Sequence, residues 1–109
     1  MDDKQTLMKI LYKASPKLRK ALLADPTTVK ILSEYALNIL KGKIPLKKKH
    51  KENLRRHRKK VHLLSKKSTP IAKKEKILQQ GGCFFNKFVE SVVEDIAESI
   101  GDALMSAIL

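Results

Sequence analysis

The stretch that decides the fold is DPTTVKILSEYALNILKG, residues 25–42. Asp25 is a preferred helix N-cap, and Pro26 suits the first helical position, where a missing N–H costs nothing. Val29, Ile31, Leu32, Tyr35, Ala36, Leu37, Ile39 and Leu40 recur at helical spacing and cover more than one face. A helix apolar on several sides needs neighbours on several sides, and its end is expected near Gly42. Ser15-Pro16 repeats the cap-plus-proline device and predicts a helix from about Pro16 to Ala24 carrying Leu18, Leu22 and Leu23. Before it, Asp2 or Asp3 can cap a first helix with Leu7, Met8, Leu11 and Tyr12 on its apolar side. Helices this short are marginal alone. Residues 1–42 therefore read as a small helical region that leans on the rest of the chain, in preference to an independent docking module.

Past the Ile44-Pro45 break comes LKKKHKENLRRHRKKVHLLSKK, residues 46–67. Leu54, His57, Val61 and Leu64 form a narrow stripe, and nearly every other position is cationic. One basic amphipathic helix from about Leu46 to Ser65 is predicted. Its like charges at three-and-four spacing oppose the isolated helix, so ordering is expected to accompany binding of a partner that screens them. Ser68-Thr69-Pro70 starts a further short helix through Ile71, Lys74, Ile77 and Leu78, closed by Gly81-Gly82. From Cys83 the composition changes. Phe85, Phe88, Val89, Val92, Val93, Ile96, Ile100, Ala103, Leu104, Ala107 and Ile108 make a wide apolar face, with Glu90, Glu94, Asp95, Glu98 and Asp102 opposite. The expected fold class is all-α: short helices, loosely compact, with a C-terminal amphipathic helix. The regions are 1–42, a basic 43–80, and an acidic 81–109 after a Gly-Gly hinge.

Charge sharpens this division. The chain has 109 residues, 24 Lys or Arg and 11 Asp or Glu, for a net charge of +13. Residues 1–40 are net +3, residues 41–76 net +14 with sixteen cations, and residues 77–109 net −4. Such self-repulsion in a small chain makes physical sense when an acidic partner neutralises it.

Several function classes are disfavoured. A chain this short has little room for a large catalytic cleft. His50, His57 and His62 all lie in the basic block, where neighbouring cations disfavour protonation and Glu52 is the only acid nearby, so solvated or phosphate-contacting imidazoles are expected there, not acid–base catalysts or ligands. The single cysteine, Cys83, forms no internal disulfide, matches no zinc-type spacing, and is expected to be buried or in a loop. No enzyme activity, metal or cofactor is expected. With no Trp, two Tyr and three Phe, a stacking platform for single-stranded bases is missing. The acidic start, Met1-Asp2-Asp3, leads into no signal-peptide pattern, and no apolar run is long enough to span a bilayer.

The basic block points to a phosphate polymer. The candidate contacts are Lys47, Lys48, Lys49, Lys51, Arg55, Arg56, Arg58, Lys59, Lys60, Lys66, Lys67, Lys73 and Lys74. Arg forks two hydrogen bonds to phosphate, while Lys acts as a point charge. Residue pairs that read base edges are missing from this stretch, so sequence-independent binding to double-stranded DNA is expected, with RNA an open alternative. For the C-terminal segment three fates stand: packing on the chain, self-association, or contact with membrane, through Phe85, Phe88, Val89, Val92, Ile96, Ile100 and Leu104. Its net −4 charge could also shield part of the basic block until DNA displaces it.

Four strings resemble a known family: KASPKL at 13–18, EYALNILKGKIPL at 34–46, LRRHRKKVHLLSKK at 54–67 and KKEKILQQGG at 73–82. Their order resembles that of small basic proteins of adintoviruses and Polinton-like elements, relatives of adenoviruses in gene content. The resemblance implies a virion-associated core or minor capsid role beside viral DNA, in the virion and the host nucleus, with capsid proteins as partners. It also implies that Gly81-Gly82 is a site for an adenovirus-type maturation protease, where a helix-ending glycine is the competing reading. Family members follow the glycine pair with a neutral, small-residue apolar tail. The acidic segment here departs from that.

Overall fold

A computed structural model describes residues 3–80 and 83–95. They form seven helices and no strand, so the chain is all-α. In order these are α1 (Asp3–Lys13), α2 (Pro16–Leu23), α3 (Pro26–Leu40), α4 (Lys48–Arg55), α5 (Arg58–Ser65), α6 (Ile71–Gln80) and α7, residues 83–95.

The local signals at α2 and α3 work as read. Ser15 Oγ accepts the Leu18 N–H at 3.2 Å and Asp25 Oδ1 accepts the Thr27 N–H at 2.9 Å, each one residue ahead of a first-turn proline. At the other end of α3, Gly42 takes φ +72°, a conformation that costs glycine little. Its N–H donates to the Ile39 carbonyl at 3.1 Å, and the Lys43 N–H donates to the Asn38 carbonyl at 2.9 Å. This pair of bonds is a Schellman closure, which satisfies two carbonyls the helix would otherwise leave bare.

Helix α3 is the central element. Val29, Leu32 and Ala36 are fully buried, and among α1 to α6 its most extensive pairing is with α5, which contributes Val61 and Leu64. Helices α2 and α6 pack on the same centre through Leu23 and Leu78, and α1 adds Met8 and Leu11. One apolar cluster therefore draws on all three charge regions of the chain. Tyr12, Leu18 and Leu40, expected on apolar faces, are exposed instead, because these short helices bury only a narrow stripe each.

Helix α7 completes that cluster. Phe84, Phe85 and Phe88 are the largest fully buried side chains, and Val89 and Val92 are buried beside them. The sequence pattern placed Phe85 and Phe88 on the apolar face but not Phe84, whose ring sits 5.7 Å from both Phe88 and His57. Arg19 of α2 lies over the Phe85 ring at 5.0 Å and donates to Asn86 Oδ1 at 2.8 Å, tying α2 to α7.

The basic stretch is not one helix, as predicted, but two. Arg56 and His57 break it, with His57 at φ −116°, ψ 24°. An unbroken helix would set Arg55 against Arg58 and Lys59, and Arg56 against Lys60, at repulsive spacing. At the break the His57 ring lies against Phe84. Hydroxyls buried in the helices donate to carbonyls one turn back, Ser33 to Val29 at 2.9 Å and Ser91 to Lys87 at 2.6 Å. Among the described residues no buried side-chain nitrogen or oxygen lacks a partner, and no helix is long and apolar enough to cross a membrane.

Candidate nucleic-acid interface

The interface is built on α4 and α5, which turn Leu54, Val61 and Leu64 inward and leave the cationic positions outside. Lys47, Lys48, Lys49, Lys51, Arg55, Arg56, Arg58 and Lys59 are all exposed, as are Lys66, Lys67 and Lys73 on the approach to and start of α6. Two surface features organise them. Arg58, Lys59, His62 and Lys66 surround a shallow depression floored by Leu63. Lys51, Arg55 and Arg58 border an adjoining groove whose apolar side is Ile39, Ile44, Leu46 and Leu54. Arg58 belongs to both, so the cations form one strip running from α4 across the break and along α5.

Two expected contacts leave this surface. Lys74 is only 5% exposed, in the cleft lined by α3, the α5–α6 connection and the start of α6, and burial lowers its pKa. Lys60 is half-buried, with its ammonium 5.9 Å from the centre of the Phe84 ring, where it covers the core.

The histidines separate into three environments. His62 is exposed in the cationic depression, as a phosphate-contacting imidazole would be. His57 is half-buried on Phe84, and its pKa is lowered, first by burial and then by Lys60 and Arg56. His50 is the correction: it is 1% exposed, not solvated, and stands between two carboxylates of α7. Asp95 lies 2.9 Å from Nδ1 through both carboxylate oxygens, and Glu94 lies 3.0 Å from Nε2. Asp95 also accepts the Lys47 backbone N–H at 2.9 Å, supplying from α7 the cap that α4 lacks in its own sequence. Sequence reasoning missed this because the partners are 44 and 45 residues apart. The only available signal was opposite charge on two amphipathic elements.

The acidic helix thus meets the start of α4 and leaves the strip from Arg55 to Lys66 uncovered. Of the C-terminal fates, packing on the chain is what the described part does: Phe85, Phe88, Val89 and Val92 are buried in the core and have no apolar surface left for membrane or self-association. Ile96, Ile100 and Leu104 lie outside the described residues, as do Gly81 and Gly82. Cys83, expected in a core or loop, is exposed in the first turn of α7. Compared with models of known protein families, with characterised proteins and with solved structures, the chain gives no match.

Proposed function

We propose that this protein binds double-stranded nucleic acid without sequence preference through the α4–α5 strip, and that it serves as a core or packaging protein that neutralises and condenses a viral genome. The observation that carries the binding is the joined strip of Lys51, Arg55, Arg58, Lys59 and Lys66 around two adjacent depressions on one side of a well-packed scaffold. Cations held in this way release counterions when they meet phosphates, which is the main source of sequence-independent affinity. The α4–α5 surface offers Arg and Lys, and its one Asn or Gln, Asn53, is half-buried. The packaging role rests on the resemblance to small basic proteins of adintoviruses and Polinton-like elements. DNA is the proposed ligand, with the virion and host nucleus as its setting.

The test is a titration of two unrelated duplexes across a range of salt. Affinity is expected to be equal for both sequences and to fall steeply, with a slope of roughly −0.9 in log–log form for each phosphate contacted. A flat salt response would remove the proposal, and a strong preference for one duplex would remove its sequence-independent character. Helix α7 spends its apolar face on the core, so a membrane-active role has no support from it.

A further inference from the structure

At the α4 end of the cationic strip, α7 meets the start of α4 and brings a second kind of chemistry together. Acidic pairs one turn apart are common on helix surfaces, and what singles this place out is the buried imidazole beside one. The Nδ1 edge of His50 faces Asp95, which is itself 4% exposed and anchored by the Lys47 N–H. A carboxylate accepts and does not donate, so Nδ1 holds its proton toward Asp95, and a cation at Nε2 takes the place of the proton that this edge shares with Glu94, which leaves to solvent. The opposite edge, Nε2, faces Glu94 at 3.0 Å, and Glu90, one turn earlier on α7, reaches the same spot. The donor atoms of His50, Glu90 and Glu94 all lie within 4.8 Å of one another.

We propose that His50 Nε2, Glu90 and Glu94 form a binding site for a divalent transition cation, with Zn2+ the ion the donor set suits best, and that Asp95 positions the imidazole for it. Three arguments converge. The first is charge: Glu90, Glu94 and Asp95 gather three carboxylates round one ring, and a divalent cation on Nε2, once its proton has left, offsets two of their charges. The second is distance: bonds of about 2.1 Å in a tetrahedral shell set ligand atoms about 3.4 Å apart, a spacing that Nε2 and Glu94 already approach and Glu90 reaches by turning its side chain. The third is the outer partner: a carboxylate on the far ring nitrogen fixes the tautomer and raises the basicity of the coordinating one, as at many histidine–metal sites. One imidazole with two carboxylates leaves a fourth position for water, and half-buried Glu90 and Glu94 leave a path from solvent. Bound there, the ion ties α7 to α4 across forty residues of chain, a staple in a domain too small to have a large core.

The cation and the nucleic acid are different ligands, so this test needs no nucleic acid. Metal-stripped full-length protein is titrated with Zn2+ by calorimetry, and its melting temperature is followed with and without the ion. One Zn2+ per chain and a raised melting temperature are expected. Glu90 makes none of the hydrogen bonds that hold His50, so Glu90→Gln is expected to keep the metal-free melting temperature while weakening Zn2+ roughly tenfold or more. His50→Gln should abolish binding. Cys83→Ser and His62→Gln should leave it intact, and X-ray absorption should show only nitrogen and oxygen around zinc. Absence of saturable binding, unchanged affinity in Glu90→Gln, or sulfur in the coordination shell would overturn the proposal.

Discussion

Helix α3 packs extensively on α5, yet α3 and the α4–α5 pair are helical for different reasons. Helix α3 has fifteen residues, its own N-cap, a first-turn proline and a glycine closure. Each of α4 and α5 has eight residues, neither receives a cap bond from its own N-cap side chain, and both are crowded with like charge. Eight-residue helices do not persist alone in water. What holds them is borrowed: α3 under Val61 and Leu64, Phe84 under His57, and Asp95 at the α4 N-terminus. The cationic surface is thus held by α3 and by a helix well downstream, and the two regions should fail separately.

The largest break is expected from Phe84→Ala. It removes a fully buried ring from the joint between α5 and α7 and should cost about 3–5 kcal/mol, read as a lower denaturant midpoint. Hydrogen exchange should rise first in α4 and α5. Next comes Asp95→Asn, which removes a charge-assisted bond to His50 and weakens the α4 cap, for about 1.5–3 kcal/mol. Exchange protection should fall across residues 48–55 while residues 26–40 stay protected. If both regions lose protection equally, the separation drawn here is wrong.

On the α3 side the expected effects are smaller because the devices are local. Asp25→Ala should cost about 1 kcal/mol by loss of the cap. Gly42→Ala should cost a similar ~1 kcal/mol: open space surrounds the new methyl, so the cost reports the φ of +72° alone.

The smallest expected effect is one of pH. The pKa of His57 is lowered in the folded chain by burial and by Lys60 and Arg56, so the unfolded chain takes up this proton first. Stability from the neutral ring is complete above the ordinary histidine range and is lost as pH falls through it toward the lowered folded value. His57→Gln should therefore lose less stability than the natural chain on mild acidification, measured as the difference in denaturant midpoints.

The same contrast explains what was legible in the sequence. Ser15, Asp25, Pro26 and Gly42 act within a few residues of themselves, so the ends of α2 and α3 could be read directly. The apolar face of α7 was legible by period, and its burial against the chain was one of three open fates. Three features were not legible. The break at Arg56–His57 depends on the position of Phe84, the burial of His50 depends on carboxylates 44 and 45 residues away, and the exposure of Tyr12 and Leu18 depends on how narrow a stripe each short helix presents. For the candidate interface, composition identified the cations but not their division. Lys60 and Lys74 carry the same charge as their neighbours, and only packing shows that one covers a ring and the other fills a cleft.

The claim that the place of the charge, more than its amount, makes the binding surface is tested most directly by moving one deficit between the two regions. Lys51, Arg55, Arg58 and Lys59 are changed to Gln in one variant, and Lys13, Lys17, Lys20 and Lys30, all exposed on α1 to α3, in another. Both lose the same charge, and duplex DNA affinity is measured against salt. The strip variant is expected to lower the magnitude of the salt slope by about 0.9 for each contact removed and to lose most of the affinity, with the other variant near the natural chain. Equal losses in the two variants would contradict the account.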